Sequence, residues 1–125
     1  MVNKEGKVIL IVEDDESIRE VLNYALENEG YIVHTANNGQ EALNLLPIYS
    51  NIINIILLDV MMPVMDGFTF YREKLKTPSY AQIPTIIYSA DVHLKIQADA
   101  MGLPFLTKPF NLSDMFEQIE KYERQ

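Results

Sequence analysis

The sequence predicts an α/β fold in which a doubly wound, five-stranded parallel sheet is covered by five helices. Short apolar runs alternate with stretches of helical periodicity along the whole chain of 125 residues. The first run, "VILIV", is apolar at every position, which is typical of a strand buried on both faces of a parallel sheet. A composition of 48% hydrophobic and 22% charged residues suits one globular domain, and we expect residues 1–125 to form it.

The predicted elements alternate strictly, and glycine or proline marks several of their ends. Helices are indicated by apolar residues three and four positions apart, and strands by continuous or alternating apolar residues. The first half is predicted to begin with a strand over 7–12. A helix follows that stops near Gly30 and carries the apolar stripe Ile18, Val21, Leu22, Ala25 and Leu26. A strand over 31–36 and a helix over 38–46, which Pro47 ends or kinks, complete this half. The second half is predicted to contain a strand over 52–58, a helix over 68–76 closed by Pro78, a strand over 85–90, a helix from Asp91 to Met101, a strand over 105–107, and a last helix with Leu112, Met115, Phe116 and Ile119 on one side.

Charge and cysteine content exclude several kinds of partner. The formal net charge of -8 argues against nucleic acid or an anionic membrane, because both require a basic surface. The chain contains no cysteine, which excludes disulfides and thiolate metal sites and fits a cytoplasmic location. No apolar run is long enough for a signal peptide or a membrane span. We therefore expect a cytoplasmic protein that binds a cation or a basic surface on another protein.

Three aspartates stand where predicted strands end. Asp14 and Asp15 follow the first strand, and Asp59 follows the third. For Asp14 or Asp15 alone, a helix N-cap is the simpler interpretation. Parallel sheets bind ligands beyond the carboxyl ends of their strands, so all three carboxylates converge if the first and third strands are neighbours. Carboxylates that crowd together need a cation, and an oxygen-only ligand set predicts Mg²⁺.

Two other strand ends supply groups that complement these carboxylates. Ser89 offers a hydroxyl, and Lys108 offers an ammonium next to Pro109, whose peptide bond is a candidate for the cis form. On its own Lys108 would be an ordinary surface residue. The loop "EDDES" after the first strand would repel phosphate, and no glycine-rich phosphate cradle is present. A carboxylate nucleophile, a cation, a hydroxyl and a lysine together predict a phosphoryl-transfer centre.

The chain resembles the receiver domains of response regulators in two-component signalling. The motifs "VEDD", "LLDVMMPVMDG", "SA" and "TKPF" stand in this order at spacings similar to those of that family. The longest of them is highly specific, whereas the acidic pair or "KP" alone would be weak. The resemblance implies a flavodoxin-like, three-layer α/β/α fold with the strand order 2-1-3-4-5.

The resemblance also implies how the site works. Asp59 would accept a phosphoryl group from a phosphohistidine on a sensor histidine kinase or a histidine phosphotransfer protein. Asp15, Asp59 and the backbone carbonyl of Met61 would bind Mg²⁺ directly, and Asp14 would bind it through water. Pro63 and the glycine of "MDG" would shape the loop after the acceptor.

A second implication of the resemblance is a switch. Ser89 and Lys108 would contact the phosphoryl group, and Ser89 together with Phe105 would change conformation. The responding surface would lie between Asp91 and Tyr122 and would bind an unidentified downstream protein or a second copy of the chain. No output domain is expected within residues 1–125, and the chain would catalyse only its own phosphorylation and slow dephosphorylation.

Two other functions remain open from the residues. One is a Mg²⁺-dependent phosphohydrolase of the haloacid-dehalogenase type, which also uses an aspartate nucleophile. Such enzymes carry a general acid two residues after the nucleophile, where this chain has Met61, which cannot transfer a proton. The other is a degenerate receiver that serves only as a binding scaffold, which would not need the set of Asp14, Asp15, Asp59, Ser89 and Lys108.

Overall fold

The structure, a computed structural model, describes residues 5–125 and contains one five-stranded, all-parallel sheet in the order β2-β1-β3-β4-β5. The strands are β1 (Val8–Val12), β2 (Ile32–Ala36), β3 (Ile53–Asp59), β4 (Thr85–Ser89) and β5 (Phe105–Thr107). The helices are α1 (Glu16–Asn28), α2 (Gly39–Tyr49), α3 (Gly67–Leu75), α4 (Pro78–Ala81), α5 (Leu94–Ala100) and α6 (Leu112–Tyr122). The predicted fold class and strand order are confirmed.

The described residues contain six helices where the sequence predicted five, and the additional one is α4. Pro78 was expected only to close the preceding helix. It instead occupies the first turn of this four-residue helix, a position where the missing N–H of proline costs nothing. The strict alternation of strands and helices is therefore interrupted once, between α3 and β4.

Helix α2 does not end at Pro47 but continues to Tyr49. Pro47 lies in the last turn, where the loss of one backbone hydrogen bond affects only the end of the helix. The Ser50 N–H donates to the Leu46 carbonyl at 2.9 Å and completes the turn beyond the proline. Of the two outcomes expected for Pro47, that it ends or that it kinks the helix, the first was wrong.

Helix α5 is shorter than the predicted span from Asp91 to Met101. Its N-cap is His93, which makes no side-chain capping bond. The Asp91 carboxylate accepts from the His93 N–H at 3.0 Å and so closes a turn before the helix begins. Asp91 is a turn residue, not the cap.

The sheet separates two apolar cores, as expected for three layers. Leu10 of β1 faces one core together with Leu46 of α2 and Phe70 of α3. Ile9 and Ile11, which point the other way, pack in the second core with α1 and α6. The continuous apolar run of β1 is thus explained by burial on both faces.

Asn54 interrupts the apolar run of β3 for a structural reason. Between β1 and β3 the register shifts by one residue, because Val8 pairs with Ile53 whereas Ile9 pairs with Ile55. The Asn54 side chain occupies this irregularity: its Oδ1 accepts from the Val8 N–H at 2.7 Å, and its Nδ2 donates to the Arg124 carbonyl at 2.9 Å. A polar side chain here satisfies backbone groups that the shifted strands leave unpaired.

The last residues are fastened to the end of the sheet opposite Asp59. The Arg124 guanidinium donates to the Ile53 and Ser50 carbonyls at 2.9 and 2.6 Å, and its backbone N–H donates to the Asn54 carbonyl at 3.0 Å. The Glu123 carboxylate is buried and pairs with Lys7 at 2.8 Å. We call Glu123, Arg124 and these contacts the C-terminal clasp.

Every helix in residues 5–125 is too short or too polar to serve as a membrane-spanning segment.

Candidate phosphoacceptor site

Three carboxylates meet where β1 and β3 end. These strands are neighbours in the sheet, with Val12 paired to Leu58, so the residues that follow them lie side by side. Glu13, Asp14 and Asp59 each place one carboxylate oxygen within 4.8 Å of the oxygens of the other two. Glu13 and Asp59 are buried, with 1% and 3% of their surface exposed, while Asp14 is open to solvent. The predicted convergence of strand-end carboxylates is present, but Glu13 takes the place that was predicted for Asp15.

Asp15 was expected to bind the cation directly, and the structure places its side chain elsewhere. Its Oδ1 accepts from the Ile18 N–H at 3.0 Å, which caps α1. The third carboxylate of the cluster comes from Glu13, which the sequence interpretation overlooked. Because β1 ends at Val12 and α1 requires a cap just before Glu16, the two residues free to face the site are Glu13 and Asp14.

Three donors hold the Glu13 carboxylate in place. The Tyr88 hydroxyl donates to Oε1 at 2.8 Å, and Lys108 Nζ lies 3.2 Å from the same oxygen. The Asp15 N–H donates to Oε2 at 3.2 Å. A buried carboxylate with this many partners is fixed in one orientation.

Lys108 stands between the two buried carboxylates. Its Nζ is 3.2 Å from Glu13 and 3.6 Å from Asp59 Oδ1. The Lys108–Pro109 peptide bond is cis, and the Lys108 N–H donates to the Ser89 carbonyl at 2.8 Å, which ties the lysine to the end of β4. The lysine predicted from "TKPF" is therefore brought to Asp59.

Ser89 lies at the end of β4, one position beyond Tyr88, which pairs with Asp59 across the sheet. Its side chain is fully buried, and its Oγ accepts from the Asp91 N–H at 3.1 Å. The Ser89 hydroxyl is thus held at the same edge of the sheet as the Asp59 carboxylate, as the sequence predicted from its place at a strand end.

Burial and, after it, like charges determine the electrostatics of the three carboxylates. Burial, followed by the neighbouring Glu13, raises the pKa of Asp59 to about 7. Burial also raises the pKa of Glu13, but hydrogen bonds with Asp59, the Asp15 N–H and Tyr88, together with Lys108, outweigh it, so that the pKa of Glu13 is lowered overall. Burial and Glu13 raise the pKa of Asp14. Near pH 7 the Asp59 carboxyl is therefore only partly ionised.

The loop after Asp59 is shaped by close backbone contacts. The Met61 N–H donates to Asp59 Oδ1 at 3.3 Å, while the Met61 side chain is 63% exposed. A Cβ on Gly67 would meet the Asp59 carbonyl oxygen at 2.6 Å, so only glycine fits there. Between Met61 and Gly67, the Met65 N–H donates a hydrogen bond to the Pro63 carbonyl and closes a tight turn. Val64, inside this turn, has a φ of 71°, which is strained for a β-branched residue.

Phe105 is the first residue of strand β5, which lies on the far side of β4 from Asp59. Its ring is partly buried and packs against the core that contains Ala98 and Leu103. The same ring lines a surface groove together with Lys121 and Tyr122 of α6. A change in the position of Phe105 would therefore alter the surface between α5, β5 and α6.

The chain belongs to the response regulator receiver domain family, which its residues 9–120 match. It is similar to the probable transcriptional regulator ycf27 of Cyanidium caldarium, with 36% identity over 126 residues, which cover 98% of this chain and 49% of that protein. It is also similar to the sensor kinase CckA of Brucella abortus, with 38% identity over 120 residues, 94% of this chain and 13% of the kinase. The chain thus spans about half or less of the length of these two relatives.

Solved structures show the same fold. Chemotaxis response regulator CheY4 of Vibrio cholerae superposes with a TM-score of 0.82 at 31% identity, covering 91% of this chain and 96% of that one. Response regulator TrrA of Thermotoga maritima, solved in complex with Mg²⁺ and BeF, gives a TM-score of 0.79 at 31% identity, covering 92% and 97%. The chain is therefore a receiver domain of two-component response regulators, homologous to phosphorylatable switch domains.

Proposed function

We propose that residues 1–125 form a receiver domain that accepts a phosphoryl group on Asp59 from a phosphohistidine of a sensor histidine kinase or phosphotransfer protein. The observation that carries this proposal is the environment of Asp59. It is a buried carboxylate at the end of a central strand, with two acidic neighbours and Lys108 3.6 Å away. The rigid sheet presents this nucleophile to a cleft, where positioning and charge neutralisation accelerate phosphoryl transfer.

The acidic cluster fits Mg²⁺. All of its donors are oxygens, and burial followed by the neighbouring Glu13 raises the pKa of Asp59, a cost that a divalent ion would offset. Glu13, Asp14 and Asp59 would hold the ion, together with the backbone carbonyl of Met61. When bound, Mg²⁺ neutralises phosphoryl oxygens during transfer. Asp15 keeps its role as the cap of α1.

In the transfer step, an Asp59 carboxylate oxygen attacks phosphorus, and the bond between phosphorus and the histidine nitrogen breaks. The electron pair of that bond stays on the imidazole, and an acyl phosphate forms on Asp59. Lys108 leaves Glu13 to pair with the added charge, and the Ser89 hydroxyl donates to a phosphoryl oxygen. The domain acts on itself and hydrolyses its own acyl phosphate slowly, so it works as a switch and not as an enzyme with a separate substrate.

An apolar groove beside the acceptor suits the phosphohistidine-bearing partner. It has a volume of about 460 Å³ and includes Ile18, Val21, Phe110 and Leu112. Lys108 lines the same groove and also contacts the acidic cluster, so a protein seated there would bring a histidine toward Asp59. We place the encounter in the cytoplasm, where ATP is available to the kinase.

Signal output would follow from the added charge of roughly -1.5 to -2 at neutral pH. Ser89 would move toward the phosphoryl group, and Phe105 would turn into the space that it leaves. The surface formed by α5, β5 and α6 would then change its affinity for a downstream protein or for a second copy of the domain.

The decisive experiment is phosphorylation by a small acyl-phosphate donor with Mg²⁺, followed by intact-mass measurement. We expect one added phosphoryl group, and none in Asp59→Ala. In Asp14→Asn, the dependence of this labelling on Mg²⁺ should be strongly weakened. Asp15→Asn is the matched control, because asparagine caps a helix as well as aspartate does, and it should behave as the native chain.

Equal labelling of Asp59→Ala would overturn the proposal. Loss of Mg²⁺ dependence in Asp15→Asn and not in Asp14→Asn would show that the cation site uses the other aspartate. Repeated turnover of an ordinary phosphomonoester would instead establish a phosphohydrolase.

A further inference from the structure

Tyr88 is a buried phenol beneath the acidic cluster, and two isoleucines precede it in strand β4. Only 1% of its surface is exposed, and its hydroxyl donates to Glu13 Oε1 at 2.8 Å. Its ring lies 4.7 Å from Lys108 Nζ and contacts the Phe110 ring edge-on at 5.7 Å. One side chain therefore touches both the acid and the base that flank Asp59.

Packing alone does not account for a tyrosine at this position. A buried phenol requires a hydrogen-bond partner, so the hydroxyl adds a constraint that phenylalanine would not carry. Here the partner is Glu13, whose side chain has one more rotatable bond than an aspartate. Without an anchor, such a side chain has more conformations to lose when it binds a cation.

The two other donors to Glu13 do not replace this anchor. The Asp15 N–H reaches Oε2, the opposite oxygen from the one that Tyr88 contacts. Lys108 shares Oε1, but in the proposed transfer step it moves to the phosphoryl group. After that movement Tyr88 would be the donor that still holds Oε1.

We propose that Tyr88 is a positioning residue: its hydroxyl holds Glu13 in the orientation that can bind Mg²⁺ with Asp14 and Asp59, and its ring supports the Lys108 ammonium. This inference rests on the proposed function, because it assigns a role toward the same cation. Removing the hydroxyl while keeping the ring separates the two contributions. Tyr88→Phe retains the packing and the cation–π contact and loses only the bond to Glu13.

The test is the affinity of the unphosphorylated domain for Mg²⁺, measured by titration calorimetry. We expect Tyr88→Phe to weaken binding about tenfold, since loss of a residue that orients a metal ligand typically costs 10- to 100-fold. In phosphorylation with a small acyl-phosphate donor, the half-saturating Mg²⁺ concentration should rise by the same factor. The rate at saturating Mg²⁺ should stay near that of the native chain.

The chain offers a matched control in Tyr31→Phe. Tyr31 is 3% exposed, and its hydroxyl donates to Glu123 at 3.3 Å in the C-terminal clasp, far from the site. Both variants lose a buried bond between a tyrosine and a glutamate. A general loss of stability would therefore affect both, whereas weaker Mg²⁺ binding should appear only in Tyr88→Phe.

A second variant tests the same contact from the other side. Glu13→Asp shortens the carboxylate by one methylene and withdraws it from the Tyr88 hydroxyl. It should weaken Mg²⁺ binding, and adding Tyr88→Phe should then change the affinity less than twofold, because the two residues act through one bond.

The outcomes separate the two proposals. If the native chain binds Mg²⁺ and is labelled on Asp59 but Tyr88→Phe binds Mg²⁺ equally well, the positioning role is wrong and the proposed function stands. Fully additive effects of Glu13→Asp and Tyr88→Phe would also overturn it. A native chain that neither binds Mg²⁺ nor becomes labelled would refute both.

Discussion

Replacing Asp59 with asparagine tests the electrostatic cost of the carboxylate cluster. This side chain is buried against Glu13, and its pKa is raised to about 7 by burial and by that neighbour. Asparagine has nearly the same shape but cannot ionise. We therefore expect the variant to be more stable than the native chain wherever Asp59 carries a charge.

The size of the effect follows from the pKa. At about 1.4 kcal/mol per pKa unit, the difference between about 7 and the ordinary value of 3.8 corresponds to roughly 4 kcal/mol as an upper limit. Part of this remains in the variant as the cost of a buried amide, and the attraction between Lys108 and Asp59 is lost. We expect the free energy of unfolding to rise by about 1–3 kcal/mol near pH 8.

The sign of the pH dependence is fixed by the same values. Between pH 3.8 and about 7 Asp59 binds more protons in the folded chain than in the unfolded chain, so its contribution to the stability of the native domain falls as the pH rises through this window. Near pH 5 only the lower part of this window has been crossed, so the advantage of asparagine should be less than half of its value near pH 8. Saturating Mg²⁺ should remove it near pH 8, because the cation stabilises only the native chain strongly.

Urea unfolding near pH 5 and pH 8, with and without Mg²⁺, measures these differences. Asp66→Asn is a suitable control, because Asp66 caps α3 through the Thr69 N–H at 2.8 Å and asparagine caps equally well. Its stability should change by less than about 0.5 kcal/mol at either pH. Equal stability of Asp59→Asn and the native chain near pH 8, or a gain that persists unchanged near pH 5, would refute this account of the cluster.

Three further changes test other parts of the structure. Val64→Asn should raise the free energy of unfolding by about 1 kcal/mol in urea titrations, because asparagine tolerates the φ of 71° better than valine; no gain would contradict the strain. Lys74 is fully buried, and burial lowers its pKa to about 8 from 10.5, so the cost of its charge is present below pH 8 and fades as the pH rises toward 10.5. Lys74→Met should therefore stabilise the domain by about 1–3 kcal/mol near pH 7 and by less near pH 10. Thermal unfolding at both pH values measures this difference, and a larger gain near pH 10 would contradict it. Asn54→Leu should cost about 2–4 kcal/mol and speed hydrogen exchange of the Val8 amide, because it leaves that N–H and the Arg124 carbonyl unpaired; unchanged exchange would show that other groups replace the side chain.

The sheet could be predicted from sequence because its strands are short apolar runs that only burial on both faces explains. Helix ends were less predictable. Pro47 lies in a final turn and Pro78 in a first turn, and both positions tolerate proline without breaking a helix. Residue type alone does not show whether a proline stops one helix or starts another. That depends on which backbone hydrogen bonds form in the turns on either side of the proline.

At the site, the strand-end aspartate and the lysine were predictable from motif and topology. The assignment of Asp15 to the cation was not supported, because four consecutive acids follow β1 and periodicity locates a helix cap only to within a residue or so. Nothing in the sequence indicated that Tyr88 reaches Glu13, since that contact depends on which face of β4 each side chain takes. Asn54 was visible as a break in an apolar run, but its partner Arg124 is distant in sequence.

The C-terminal clasp has a practical consequence for rearranging the chain. Lys7 lies 2.8 Å from Glu123 and 3.2 Å from the Gln125 side chain, so the first strand begins where the last helix finishes. A short glycine-rich linker could join these ends, and new termini could be opened at the exposed turn after Lys76. Such a circular permutant would begin with α4 and keep every strand whole, and it would move the attachment point for a fused reporter without altering the residues around Asp59.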